Sequence, residues 1–310
     1  MKTFNSISTY KSYKKSIVTI GTFDGVHIGH KKILEKIIQN SKLENCESVV
    51  LTFFPHPRMV LQEKSEIKLL NTINEKIELF ENLGLDSLII HPFDEAFSKL
   101  SAQEFVKTIL VDQLKIKKII IGHDHRFGSN RTANIDDLII YGEKYDFEVE
   151  QISAQELNDV AVSSTKIRNS ILEGNIELAN NYLGYNYYFS GNVVKGKQLG
   201  RTINFATANI NVVENYKLIP KNGVYIVNSL YKNITIFGMM NIGNRPTVSG
   251  ENTSIEVHFF NLDEDLYDAY LTISVLKRLR DEVKFNSIDD LKKQLKIDKH
   301  NSLMYLSDFK

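Results

Sequence analysis

A β-branched run at 17–20 leads into Gly21–His30, which reads GTFDGVHIGH, and Ile33, Leu34, Ile37 and Ile38 then recur at helix spacing. Strand, tight turn and helix in that order confine the first part of the chain to few folds. Such a turn sets backbone N–H groups and the positive end of a helix dipole at the carboxyl edge of a sheet, where an anion such as phosphate gains most. Gly21, Gly25 and Gly29 let the backbone bend and approach closely, and His27 and His30 stand three residues apart. The pair fits phosphate contact, and equally an ordinary turn in which two histidines happen to meet. Zinc would need further ligands, but Cys46 is the one cysteine and no second histidine pair has ligand spacing.

The alternation continues. Residues 48–54 form a β-rich apolar run, and Thr72 with Glu75 makes a capping box for a helix over 72–83. A strand over 86–91 precedes a second capping box, Ser101 with Glu104, for a helix reaching about Leu114; a strand over 117–122, a helix over 135–144 and a strand over 147–152 follow. Continuous apolar strands alternating with helices predict a parallel sheet covered on both faces.

Ligands of such sheets bind beyond the carboxyl ends of the strands. Three segments there are unusual: TFFPHP at 52–57, with His56 between two prolines; GHDHRFG at 122–128, followed by Arg131; and SSTKIR at 163–168, where Ser163 or Ser164 is a ready N-cap. Each alone fits a turn, a solvated loop or a capped helix. Together they fall on the edge of the sheet that carries the histidine turn.

Helical text over 164–182 ends at Gly184, a C-cap residue, and the boundary is drawn there, giving segments 1–184 and 185–310. Beyond it, β-rich runs at 187–195, 206–212, 224–231, 234–241, 254–260 and 270–276 are separated by turn residues with no crossover helices, which predicts an antiparallel barrel. A helix over 287–295, resuming from Asn301, closes the chain.

Composition excludes several classes. Lys+Arg and Asp+Glu are both 38 in 310 residues, so the basic footprint of a nucleic-acid binder is missing. The first residues lack an apolar signal core, and no apolar run reaches the roughly 18 residues of a membrane span. A single cysteine agrees with a reducing compartment. The expectation is a cytoplasmic chain with neither nucleic acid nor membrane as partner.

HxGH after a strand resembles the nucleotidyltransferase signature, and GxFDGxHxGH with the three later segments resembles the bacterial bifunctional riboflavin kinase/FMN adenylyltransferase family. The second half, through GNVVKGKQLGRTINFATANI, NIGNRPTV and IEVHFF, resembles its riboflavin kinase module. The resemblance implies a Rossmann-like α/β domain over 1–184 and a riboflavin kinase-like antiparallel barrel with a terminal helix over 185–310. It implies phosphorylation of riboflavin by ATP to FMN, then adenylylation of FMN to FAD, with Mg²⁺. Riboflavin, FMN and ATP are the expected partners of a monomer or weak homo-oligomer.

By the same resemblance His27 and His30 hold the ATP phosphates, and Gly21 and Gly29 shape the turn. Asp24 orders the turn or the metal–nucleotide complex. Ser163, Ser164, Thr165 and Arg168 form a second phosphate-binding element, and Asp124 meets flavin or nucleotide. In the kinase module Gly196 and Gly200 close over ATP, Thr207 and Asn209 are the metal ligands, Glu256 is the general base and Arg280 stands at the flavin side. Four positions depart from the family: His125 replaces Phe, Ala133 replaces Gly, and Asn204 and Ala206 replace the Gly and Pro of GFPTAN. Asn204 fits if its φ is positive.

Overall fold

A computed structural model describes residues 1–62, 66–122, 126–153, 162–196, 200, 203–247 and 250–308. It divides into two compact units, Met1–Ser164 and Thr165–Lys310.

The first unit carries strands β1 (Lys2–Phe4), β2 (Ser16–Ile20), β3 (Glu47–Phe53), β4 (Ser87–His91), β5 (Ile116–Gly122) and β6 (Glu148–Ile152). They form one sheet in the order β1-β4-β3-β2-β5-β6, every pair parallel. β2 is buried along its whole length, as a central parallel strand must be. One apolar cluster, with Val18, Leu51 and Ile119, lies on one face; Ile17, Val50 and Ile120 point into the other. Alternate residues of a strand face opposite ways, so each strand feeds both cores.

The helices are α1 (Ile28–Leu43), α2 (Pro57–Leu61), α3 (Ile73–Leu83), α4 (Glu95–Ser98), α5 (Ala102–Glu104) and α6 (Ile135–Tyr145). Both capping boxes form, at Thr72–Glu75 and Ser101–Glu104. The helix opened by Ser101 is α only to Glu104 and continues as a π-helix over Phe105–Gln113, where the sequence predicts plain α-helix. Wider winding brings residues four and five apart onto one side, and the buried residues are Phe105, Val106, Ile109 and Leu110, which have that spacing. β1 is another departure: three residues extend the sheet beside β4 where no strand is predicted.

In the second unit the helical stretch is two helices, α7 (Ser164–Glu173) and α8 (Ile176–Leu183), parted by Gly174 at φ +89°. The units divide at Ser164, ahead of the Gly184 boundary drawn from the sequence. Asn180 of α8 explains the difference, since its amide donates to the Val275 carbonyl at 3.0 Å and accepts from the Tyr187 N–H at 2.7 Å. Those bonds tie the helix to β7 (Tyr188–Val194) and β12 (Tyr270–Arg280) or to the residue preceding them.

With β8 (Ala208–Asn211), β9 (Gly223–Tyr231), β10 (Ile234–Thr247) and β11 (Gly250–Phe259) these strands close an antiparallel barrel, order β10-β11-β8-β7-β12-β9. Tyr225, Val227, Met240, Val257, Ile273 and Val275 are fully buried in it. The last helix is one element, α9 (Ile288–Ser307), rather than the interrupted pair expected. Leu291, Leu295 and Leu306 pack on Ile203, Phe205, Met239 and Phe260. Its Asp298, 2% exposed, receives Arg280 Nε and Nη2 at 2.9 and 2.6 Å, the bidentate geometry that a guanidinium makes with a carboxylate.

Candidate active sites

β2 is followed by Gly21, whose N–H bonds to the Leu51 carbonyl at 3.1 Å, and the chain turns sharply. Phe23, Gly25 and Val26 all have positive φ, +47°, +88° and +36°. His27 then caps α1, its Nδ1 accepting the His30 N–H at 3.4 Å. An accepting Nδ1 leaves the proton of the neutral ring on Nε2. The two imidazoles stack with centroids 3.6 Å apart and planes 19° from parallel. Gly29 permits this, because a Cβ there would press on the His27 ring at 3.3 Å. His30 Nδ1 is buried and finds no hydrogen-bond partner among the described residues.

Burial holds the pair neutral. It pulls His27 down to about 4 against the opposing pull of Asp24, and it pulls His30 well below the ordinary histidine value, helped by repulsion from His27 when that ring is protonated and from the Lys76 ammonium. Asp24, 1% exposed, accepts from the Leu70 and Asn71 N–H groups at 2.9 and 3.4 Å through Oδ1, and its carbonyl accepts Ser164 Oγ at 2.8 Å. Ser163 precedes α7 and is exposed. Thr165 and Arg168 follow Ser164 on α7 in the second unit, where Arg168 Nη1 donates to Thr165 Oγ1 at 3.4 Å. Asp124 and His125 lie outside the described residues. Phe127 and Ala133 close the loop after β5 through two backbone bonds, 3.1 and 3.2 Å.

Sequence reasoning missed Lys76. It is 4% exposed on α3, and its ammonium donates to the Thr22 carbonyl at 2.7 Å. A cation on the apolar stripe formed by Ile73, Ile77 and Phe80 is the signal that could have found it.

In the barrel, Glu256 pairs in register with Asn209 on one side and Asn241 on the other, and Thr207 Oγ1 donates to Glu256 Oε2 at 3.1 Å. In-register neighbours share a face, so these side chains form one polar row. Gly196 lies against it, since a Cβ there would overlap the Asn209 amide; one at Gly200 would overlap the Phe205 carbonyl. Asn204 has φ +62°, the left-handed conformation that its place in the motif requires. The Gly200 carbonyl accepts the Ile203 and Phe205 N–H groups at 3.2 and 2.8 Å. His258, two residues beyond Glu256, bonds through Nδ1 to the Ala206 carbonyl at 2.9 Å and stacks obliquely on Phe205 at 5.1 Å. Arg280 lies three strands from Glu256 around the barrel, its register running through Val224 and Asn241. Its guanidinium is taken by Asp298.

Among the described residues no three His, Cys, Asp or Glu side chains converge as a metal cluster, and no helix is long and apolar enough to cross a membrane. Thr207 and Asn209 offer neutral oxygens, which suit a hard cation shared with substrate phosphates.

Comparison with known proteins matches residues 9–166 to the FAD synthetase family and 183–306 to the riboflavin kinase family. The bifunctional riboflavin kinase/FMN adenylyltransferase of Buchnera aphidicola subsp. Schizaphis graminum is 40% identical over 303 residues, 96% of each chain. That of Escherichia coli K12 is 34% identical over 280 residues, 90% of this chain and 89% of its own. A crystal structure from Streptococcus pneumoniae described as a macrolide-efflux protein superposes with a TM-score of 0.89 at 30% identity, covering 97% of this chain and 98% of that one. With a six-stranded parallel sheet behind one polar site, a closed barrel behind the other, and relatives matching end to end, the chain belongs to the bifunctional riboflavin kinase/FMN adenylyltransferase family.

Proposed function

We propose that residues 185–310 transfer the γ-phosphoryl group of ATP to riboflavin, and that residues 1–184 join the resulting FMN to the AMP moiety of a second ATP, releasing pyrophosphate. The observation that carries the reading is that each unit holds its own cluster of polar groups, the His27–His30 stack in one and the Thr207–Glu256–Asn209 row in the other.

In the first step the ribityl hydroxyl attacks the γ-phosphorus and ADP leaves. Glu256, beside Thr207, takes the hydroxyl proton. Thr207 and Asn209 would hold Mg²⁺ next to the phosphates, where it would neutralise their charge. Gly196 and Gly200, which let the backbone lie against the Asn209 amide and the Phe205 carbonyl, close over ATP. In the second step a phosphate oxygen of FMN attacks the α-phosphorus. That nucleophile carries no proton at neutral pH, so positioning and charge stabilisation suffice. His27 offers its Nε2–H to the phosphates and His30 its ring at the start of α1, where the helix dipole adds to the field. Asp24 orders the turn, consistent with its two backbone acceptances, while Ser163, Ser164, Thr165 and Arg168 present a second set of donors. Arg280, held by Asp298 of α9, stands at the flavin side. The single cysteine, Cys46, is free, which fits a cytoplasmic enzyme.

The test is product analysis by chromatography after incubation with riboflavin and MgATP, and separately with FMN and MgATP. FMN followed by FAD in the first mixture, with FMN formation lost in Glu256→Ala and FAD formation lost in His30→Ala, is the expected result. Loss of both activities in a folded His30→Ala protein would contradict the division of labour.

A further inference from the structure

We infer that Lys76 is a positioning residue for adenylyl transfer, an ammonium buried beneath the histidine turn that fixes the Thr22 carbonyl and, through it, the strained residues that follow. The inference rests on the reading that His27 and His30 receive the ATP phosphates.

The turn needs holding. A β-branched residue at positive φ is an outlier, yet Val26 sits at +36° next to Gly25 at +88° and close after Phe23 at +47°. Conformations of this kind persist only where the surroundings over-determine them. The segment 70–76 does so from two points. Asp24 is gripped by the Leu70 and Asn71 N–H groups, and the Thr22 carbonyl receives both Lys76 Nζ at 2.7 Å and Thr52 Oγ1 at 3.3 Å. These anchors flank Phe23, whose ring packs edge-on against His30 at 5.1 Å and against Phe80 of α3 at 5.8 Å.

A buried lysine is costly, and an unbranched apolar side chain such as methionine would fill the same space on α3 without the charge. The charge has two uses here. Burial lowers Lys76 to about 8 while Asp24 favours its protonated form, and its positive charge is one of the influences that keep a proton off His30. The same charge adds to the positive end of α1 in the field that an arriving phosphate meets.

The experiment compares Lys76→Met, Lys76→Gln and His30→Ala in the full chain, with FMN adenylylation, riboflavin phosphorylation in the same preparation, and NMR titration of the histidine rings as readouts. Displacing reacting groups by an ångström costs on the order of 100-fold, so Lys76→Met is expected to lower the kcat of adenylylation by about 10- to 100-fold, leaving the KM for FMN within about twofold. Riboflavin phosphorylation stays at the parental rate. Lys76→Gln retains a donor for Thr22 and recovers part of kcat, and the His30 titration moves upward in both variants because the charge is gone. Adenylylation by Lys76→Met at the parental rate, with His30→Ala inactive, overturns the inference and leaves the site reading intact. His30→Ala at the parental rate overturns both. If Lys76→Met does not fold, Lys76→Gln decides: FMN adenylylation by Lys76→Gln at the parental kcat overturns the inference, because Gln supplies only a neutral, shorter donor to the Thr22 carbonyl.

Discussion

At neutral pH the rings of His27 and His30 are uncharged, because burial opposes a proton on either one. An unfolded chain would take up those protons on acidification, at about pH 6.5, whereas folded His27 resists until about 4. The unfolded state therefore binds more protons across that interval, and stability falls as pH falls through it. For His27 the difference is worth about 3 kcal/mol. His27→Gln should lose less stability than the parent between pH 6.5 and about 4, measured as urea midpoints; an equal loss would show that the histidine is not the acid-sensitive group.

His258 is the other residue whose chemistry can be isolated. With alanine in place of the family's proline, the loop at 203–207 has more backbone freedom, and the Nδ1 bond to the Ala206 carbonyl restrains it. His258→Phe keeps the ring packing on Phe205 and removes the bond, so the KM for ATP in riboflavin phosphorylation should rise about 2- to 10-fold, the worth of one hydrogen bond, with FMN adenylylation unchanged. Asn204 shows why this loop was partly legible from sequence: its required φ follows from the motif and is realised. The His258 bond was not legible, because it joins residues 52 positions apart.

Elements with a local code were readable and those set by distant partners were not. Thr72–Glu75 and Ser101–Glu104 specify helix starts through contacts three residues long, and both form. Nothing within Lys2–Phe4 marks a strand, whose status comes from β4 alone. The π-winding of Phe105–Gln113 answers to burial on one side, and α9 runs unbroken because its buried side is fixed by the barrel. Asp298 is the centre of that attachment, taking Arg280, Gln294 Nε2 at 2.9 Å and, through its carbonyl, Ser302 Oγ at 2.7 Å. Removing one partner of a buried pair leaves the other uncompensated, at about 3 kcal/mol or more. Asp298→Ala should lower the urea midpoint of riboflavin kinase activity accordingly, while the intermediate exposure of Arg280 sets an upper limit nearer the low end of that range.

At the scale of the whole chain, the two modules were legible because their strands differ in kind: continuous apolar runs joined by helices in one, short runs joined by turns in the other. The compact units divide earlier than the boundary drawn from the sequence, after Ser164. Gly184 does end α8 in the left-handed conformation, φ +69°, but the end of a helix is not the end of a unit. What assigns α8 is its buried side, Ile176, Ala179 and Leu183, together with the two Asn180 bonds to the barrel, none of which leaves a mark near the boundary itself. Two large apolar side chains buried at about 1.5–3 kcal/mol each and two hydrogen bonds near 1 kcal/mol each amount to several kcal/mol, much of the stability of an ordinary domain. A fragment over 165–310 should therefore fold cooperatively and phosphorylate riboflavin, whereas one over 185–310 should unfold at a markedly lower urea concentration or fail to fold. Equal midpoints for the two fragments would place the functional boundary at Gly184 and make the helices an accessory to the barrel rather than part of its unit.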